Sequence, residues 1–373
     1  MADTLGIGVI GCGNISAAYM RLAPLFKGIE MRACADVAEA AAKARAEEFG
    51  LRAETVEGLL GASDVDVVVN LTVPNAHFEV SRRVLEAGKH VYSEKPFVLS
   101  LEEGEALKKI AGEKGLRVGS APDTFLGGAH QLARHLVDEG AVGRITSGTC
   151  FVQSPGMESW HPNPDFFFQP GAGPVLDIGP YYVSNLVQLL GPVKRVVAMS
   201  SSANAFRTIT SQPRFGERIK VETPTTIHSI LQFESGAQVT FVASWDVWQH
   251  GHSNMELYGT EGTLHVPDPN FFGGEVRITE KGAFTNFSGE WQHPFGKSNE
   301  GVRANYRTAG LADMGAAILD GRPHRCSDAF ATHVVDVMTS ILKAGEEGRA
   351  LEISTTCERP AALGPDAAKA LLA

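Results

Sequence analysis

Two pairs of residues in this chain have the types and spacing of working chemistry. Asp177 and Tyr181 lie four residues apart in GAGPVLDIGPYYVSN. On a helix that spacing projects both side chains from one face. Each group can carry a proton. The pair is either a helix start, with an acid in the first turn and an aromatic packed below it, or a pair held for chemistry. The second pair is Glu94 and Lys95, in YSEKPFVLS. Adjacent acid and lysine are usually a surface ion pair. Here they end an apolar strand, and open α/β sheets bind ligands beyond the C-terminal ends of their strands. Pro96 stiffens the chain that follows.

A third group of residues suits a dinucleotide. In GVIGCGNIS, Gly11, Gly13 and Ser16 occupy the three places of a GxGxxG fingerprint. Gly11 permits the tight turn. Gly13 lets the backbone approach a pyrophosphate at a helix N-terminus, where Asn14 and Ile15 also stand. Ser16 replaces the third glycine and is small enough for close packing. Asp36 closes the second strand, about twenty residues on, where a carboxylate binds the adenosine ribose hydroxyls. Asp36 also suits a helix cap, and both roles are compatible. Its charge repels a 2′-phosphate, and the next residues are Val37, Ala38 and Glu39. NAD(H) is therefore favoured over NADP(H), with Arg32 and Arg45 keeping the second choice open. The strand end LTVPNAHF adds Thr72, Pro74, Asn75 and His77, and Glu94 and Lys95 complete the cofactor candidates. Asn75 suits a nicotinamide contact; His77 serves equally well as a buried helix-start histidine.

These residues need a particular scaffold. LGIGVIG, MRACAD, DVVVNLT, HVYSEKP and LRVGSAP read as strands, with helical patterns between them. Alternating strand and helix predicts right-handed crossovers and a parallel sheet covered on both faces. After about residue 123 the pattern changes. A helix through GGAHQLARHLVDEG precedes longer strands separated by turns such as ESGA and GTEG. Helices near 305–320 and 327–346 close the chain. The predicted fold is an α/β N-terminal Rossmann domain over 1–122. It is followed by an α+β domain over 123–373 with a large, mostly antiparallel open sheet. The second domain is expected to bind substrate and to oligomerise. Apolar residues on both faces of its strands (Ile227, Ile230, Phe233, Val239, Phe241) predict a homodimer or homotetramer.

Composition removes several classes of function. The chain has 373 residues, enough for two cores, and a net charge of -10 with no basic run. Nucleic acid and acidic membrane surfaces are poor partners for it. No apolar run spans a bilayer, and MADTLGIGVIG lacks a signal-peptide pattern. Cys12, Cys34, Cys150, Cys326 and Cys357 are scattered and read as reduced thiols of a cytoplasmic protein. His250 and His252 are too few ligands for a metal, and no metal is expected.

The order of these motifs resembles one family. A GxGxxG-like turn, an acid after the second strand, PNAHF, EKP, then GAGPVLDIGPYY and a large C-terminal sheet is similar to the Gfo/Idh/MocA oxidoreductases. The resemblance covers nearly the whole chain. It implies that Lys95, Asp177 and Tyr181 surround the reacting carbon. Many members carry histidine in place of Tyr181; tyrosine resembles the glucose–fructose oxidoreductase and dihydrodiol dehydrogenase branch. On this reading Tyr181 moves the hydroxyl proton, with its phenol activated by the Lys95 cation. Asp177 orients substrate hydroxyls or the lysine. Tyr182, about 100° further round a helix, packs.

The expected activity is hydride transfer between nicotinamide and a secondary alcohol or ketone of a sugar, glycoside, cyclitol or related polyol. Two alternatives stay open. One is a regulator that senses NAD or sugar without turnover. The other is an enzyme whose tightly held NAD is only transiently reduced, giving glycoside cleavage or epimerisation. ESWHPNPDFFFQPG supplies aromatics for a sugar face and polar groups for its hydroxyls: Trp160, His161 and Asp165. It also reads as a long loop pinned by buried aromatics. Trp245, Asp246 and Trp248 in SWDVWQH, and Asn305 with Tyr306, are weaker candidates.

Overall fold

The computed structural model describes residues 4–280 and 282–373; the first three residues of the opening segment lie outside them. The chain forms two compact units. The first holds residues up to Gly128 together with Gln292–Val335 and Pro360–Ala373; the second holds Ala129–Trp291 and Asp336–Arg359.

In the first unit the strands are β1 (Leu5–Ile10), β2 (Ile29–Ala35), β3 (Arg52–Glu54), β4 (Val67–Asn70), β5 (His90–Ser93) and β6 (Val118–Ser120). Among the described residues they form a parallel sheet in the order β3-β2-β1-β4-β5-β6. The order reverses direction beside β1, which creates the switch-point crevice of a doubly wound fold. β1 and β4 are buried along their whole length, as strands covered on both faces must be. The covering helices include α1 (Asn14–Leu22), α2 (Glu39–Phe49), α3 (Val56–Gly61), α4 (His77–Glu86) and α5 (Leu101–Lys114). Ser100 caps α5 by accepting from the Glu103 N–H, and Gly115 ends it in the left-handed region.

The segment 292–335 was read from sequence as part of the second domain. It packs in the first unit instead. After α6 (Gly128–Asp138), α7 (Gly173–Asp177) and α8 (Gly179–Leu190), its helix α9 (Ala309–Asp320) lies against β6. A Cβ on Gly310 would stand 2.2 Å from the Tyr92 hydroxyl, so only glycine admits that approach. Helical periodicity shows that α9 has a buried face; it does not say which sheet that face meets.

The second unit contains β7 (Ile145–Gln153), β8 (Val193–Ser201), β9 (Phe206–Thr208), β10 (Arg218–Lys220), β11 (Thr226–Phe233), β12 (Gln238–Ser244), β13 (Met255–Gly259), β14 (Thr263–Val266), β15 (Arg277–Glu280) and β16 (Ala283–Asn286). After α10 (Asp328–Glu347) comes β17 (Leu351–Glu352). Among the described residues the large sheet runs β16-β15-β14-β13-β7-β12-β11-β8-β17, and β9 pairs with β10 separately. Its pairs are antiparallel except β7–β12. α8 packs on β7, and α7 packs on β12. Ile227, Phe233, Val239 and Phe241 are buried on one face, while Ile230 is exposed on the other. Val197 and Met199 share that open face by register with Ile230 and His228. Among the described residues no helix is long and apolar enough to cross a membrane.

Candidate active site

The glycine turn is built as a dinucleotide needs. Gly11 has φ +103°, and a Cβ there would lie 2.6 Å from the Leu71 carbonyl group. Glycine is thus required by the turn itself. Gly13, exposed at the N-cap of α1, has no atom within 4 Å of where its Cβ would be. A ligand can approach its backbone. The first turn of α1 has no acidic residue and no side-chain cap, so its N–H groups favour an anion. Asn14 is exposed and Ile15 half-buried beside it. Ser16 is buried, and its hydroxyl donates to the Gly13 carbonyl at 2.6 Å. Asp36 accepts from the Cys12 N–H at 2.7 Å and the Ala38 N–H at 2.8 Å. That ties the carboxylate to the glycine turn. Arg45 donates to the Gly13 carbonyl at 3.2 Å and pairs with Glu48.

A second layer links the ends of β4 and β5. Asn75 is exposed in a short turn over Pro74–Ala76. The Thr72 hydroxyl donates to Asn70 Oδ1 at 2.7 Å. His77 is buried, with Nδ1 2.7 Å from the Pro96 carbonyl and Nε2 3.0 Å from the Thr72 carbonyl. It was expected among the cofactor contacts. Both ring nitrogens face main chain, so the ring clamps two turns. Burial pushes its pKa down against the pull of those two carbonyls.

Glu94 is also buried, so it supports the site from within. Its Oε1 accepts from Tyr19 Oη at 3.0 Å and Arg307 Nη1 at 2.7 Å, and its Oε2 accepts from the Lys95 N–H at 2.8 Å. Burial raises its pKa, but Arg307 and Lys95 outweigh burial and hold it below the ordinary carboxylate value. Lys95 follows, half-buried, at the end of β5. Arg307 precedes Thr308, which has φ +90° and is the non-glycine residue at positive φ among those described. The Asp123 carboxylate holds this strained turn, accepting from the Thr308 N–H at 3.1 Å and the Gly310 N–H at 3.0 Å. Asn305 and Tyr306 brace the same turn through Glu300 and the Lys297 carbonyl.

In the second unit, the run carrying Asp177 and Tyr181 is not one continuous helix. Asp177 ends α7, Ile178 intervenes, and Tyr181 lies in the first turn of α8. Pro180 explains the break. It has no N–H to bond the Leu176 carbonyl one turn back. Asp177 is half-buried, and Tyr181 is buried. Tyr182 is buried too, donating to Asp268 Oδ1 at 2.9 Å and accepting from Asn254 Nδ2 at 3.0 Å.

The aromatic loop divides between ligand-accessible and structural groups. Trp160 is 63% exposed. His161 packs edge-on to Trp160 and Phe167. Asp165 is gripped by both terminal nitrogens of Arg214, whose hydrogen bonds hold its pKa below the usual carboxylate range. Phe167, Phe168 and Trp245 form a buried cluster with Met157, Ile209 and Ile219. Among the described residues no three His, Cys, Asp or Glu side chains gather as a metal site; His252 stacks on Phe151, and His250 stacks on His252. Arg307, Asp123, Arg207 and Arg214 were not read from sequence as site residues, because each acts through a partner distant along the chain.

Residues 5–121 match the oxidoreductase family with an NAD-binding Rossmann fold, and residues 130–265 match the GFO/IDH/MocA C-terminal domain. The 1,5-anhydro-D-fructose reductase of Ensifer adhaerens is 26% identical over 358 residues, covering 93% of this chain and 98% of the relative. The dTDP-3,4-didehydro-2,6-dideoxy-alpha-D-glucose 3-reductase of Streptomyces violaceoruber is 30% identical over 267 residues, 70% of this chain and 72% of the relative. The solved structure of a levoglucosan dehydrogenase in complex with NADH shares the fold at a TM-score of 0.81 and 22% identity, covering 94% of this chain and 100% of that one. Together these matches show that the chain belongs to the Gfo/Idh/MocA family of oxidoreductases.

Proposed function

We propose that this enzyme transfers hydride between NAD(H) and a secondary alcohol or ketone of a sugar, glycoside, cyclitol or related polyol. The observation that carries the reading is the open backbone at Gly13 with the Asp36 carboxylate tied to the same turn. Gly11, Gly13, Asn14 and Ile15 would hold the pyrophosphate, and Asp36 the ribose hydroxyls. Thr72, Pro74, Asn75 and Lys95 would line the nicotinamide end, braced from behind by His77 and Glu94. The bound nicotinamide supplies the hydride chemistry. Asp36 favours NAD(H) over NADP(H), and Arg45, already bonded to Gly13 and Glu48, supports that choice.

Lys95, Asp177 and Tyr181 act on one substrate in this proposal. The Lys95 ammonium binds the reacting oxygen. Tyr181 takes or returns the hydroxyl proton. Asp177 orients neighbouring hydroxyls, and Trp160 and His161 offer faces for the sugar ring; Asp165, held by Arg214, braces that loop. In this division of labour the first unit, which includes the segment 292–335, takes the cofactor, and the second takes substrate and assembly. The exposed Val197, Met199 and Ile230 support a homodimer or homotetramer through the open sheet face. Buried thiols at Cys12, Cys34, Cys150 and Cys326 suit a reducing cytoplasm, and the charge of -10 disfavours nucleic acid and membranes. The test is a screen of sugars, anhydrosugars and inositols with NAD and NADP, read by nicotinamide reduction. Stoichiometric reduction of added NAD supports net dehydrogenation. Product without net reduction would favour the transient-redox alternative.

A further inference from the structure

The second unit carries a cleft of about 410 Å³, within the range of roughly 300–1,000 Å³ typical of small-molecule sites. One wall is aromatic: Trp248, 90% exposed, and Phe206, 46% exposed. An indole left in water at that level buries almost nothing for the fold, so packing does not account for it. The Arg218 guanidinium lies over the Phe206 ring, 4.3 Å from its centroid.

The other wall is polar and rigid. Arg207 donates to Glu158 Oε1 and Asp246 Oδ1, both at 2.7 Å, and to the Trp245 carbonyl at 3.0 Å. Asp246 Oδ2 also accepts from Thr225 and Thr226, at 2.6 and 2.8 Å. These groups are spent on one another and hold the wall in place. Glu158 Oε2 is different: it is buried and has no hydrogen-bond partner among the described residues.

Charge narrows the class of ligand. Glu158, Asp246 and Arg207 sum to one negative charge on the lining. A phosphorylated or nucleotide-linked sugar would be repelled. A neutral sugar ring suits this lining, with its C–H face on the indole and its hydroxyls over the polar wall. The cleft also connects to the proposed substrate region through packing. Trp245, on its inner wall, meets Phe167 and Phe168 edge-on at 5.9 and 5.6 Å. The turn bearing those rings packs against α7, the helix that Asp177 ends.

We infer that this cleft is an outer subsite for a second, non-reacting sugar unit, so that the preferred substrate is a neutral glycoside or oligosaccharide. The inference rests on the sugar-oxidoreductase reading above. Its test is equilibrium binding to the NAD-loaded enzyme. The probes are glucose, glucose 1-phosphate and a panel of maltose, cellobiose, sucrose, lactose and trehalose. At least one disaccharide should bind roughly tenfold tighter than glucose, a difference of about 1.4 kcal/mol. Trp248→Ala should abolish that preference. Phe284→Ala, which removes an exposed ring outside the cleft, should keep it. Glucose 1-phosphate should gain nothing. If every disaccharide binds no better than glucose, or Trp248→Ala keeps the preference, the subsite is refuted, even where monosaccharide turnover upholds the reaction. A Trp248-dependent preference without nicotinamide reduction by any sugar would uphold the subsite and refute the reaction.

Discussion

Arg307 Nη1 donates to Glu94 Oε1 at 2.7 Å, and the opposite oxygen of that carboxylate accepts the Lys95 N–H at 2.8 Å. A residue more than two hundred positions away thus reaches Lys95 through one buried acid. Glu94 is 6% exposed, and Arg307, followed by Lys95, keeps it charged there.

Arg307→Met should therefore destabilise the protein by roughly 3 kcal/mol at neutral pH, the usual cost of stranding a buried charge. Turnover should fall with it, because the Lys95 turn loses its brace. Glu94 has a lowered folded pKa, so its stabilisation is present above the ordinary value of 4.5 and is lost as pH falls below it. The gap between wild type and Arg307→Met should close in acid. Denaturant titrations from neutral pH downward check this, and a gap that stays constant would contradict it.

Asp123 has the opposite sign. Burial pushes its pKa up from 3.8 to about 6, against the pull of Arg307 and the Gly310 N–H. Between those values the folded chain holds a proton that the unfolded chain releases. Its contribution to stability therefore falls as pH rises through that window, by an amount on the order of 3 kcal/mol. Asp123→Asn keeps an acceptor for Thr308 and Gly310 and removes the titration. Its stability should vary less than wild type between pH about 4 and 6, as paired denaturant curves would show.

Asp36→Asn removes the charge and keeps an acceptor for the Cys12 and Ala38 N–H groups. NADP(H) affinity should rise relative to NAD(H) by about tenfold, equivalent to 1.4 kcal/mol. Cofactor fluorescence titration reads the ratio. A wild-type enzyme that already prefers NADP(H) would overturn the role given to Asp36.

Tyr181 and Tyr182 give opposite expectations although they are adjacent and both buried. Tyr181→Phe removes the proposed proton carrier and should cut kcat by about 10² to 10⁴, with little change in stability. Tyr182→Phe leaves Asp268 short of a donor and should cost roughly 1–3 kcal/mol of stability with turnover largely kept. Turnover and thermal melting of the two variants separate the roles; reversed effects would exchange them.

Much of this was legible in the sequence because it is local. Strands β1, β2, β4, β5 and β6 of the first sheet, the turn at Gly11 and Gly13, and the carboxylate at Asp36 each follow from a few consecutive residues. The short strands β3, β9, β10 and β17 carry too few residues for periodicity to show. The helix break at Ile178 was signalled by Pro180, but the Asp177–Tyr181 spacing suggested an unbroken face. Arg307 and Arg207 were hidden for another reason. Their meaning comes from Glu94, Glu158 and Asp246, and pairing across such distances leaves no pattern in one sequence. The placement of α9 beside β6 was hidden likewise, since a glycine such as Gly310 announces close approach but not its partner.

The central claim is that Lys95 serves the reacting carbon and not the dinucleotide. The direct measurement is nicotinamide reduction by the sugar that the screen selects, for wild type and Lys95→Ala, with NAD binding measured on both. The account predicts reduction by wild type, a loss of at least about 10² in kcat for Lys95→Ala, and NAD affinity kept within a few-fold. Wild-type turnover in Lys95→Ala, or a variant silent only because it no longer binds NAD, would contradict it.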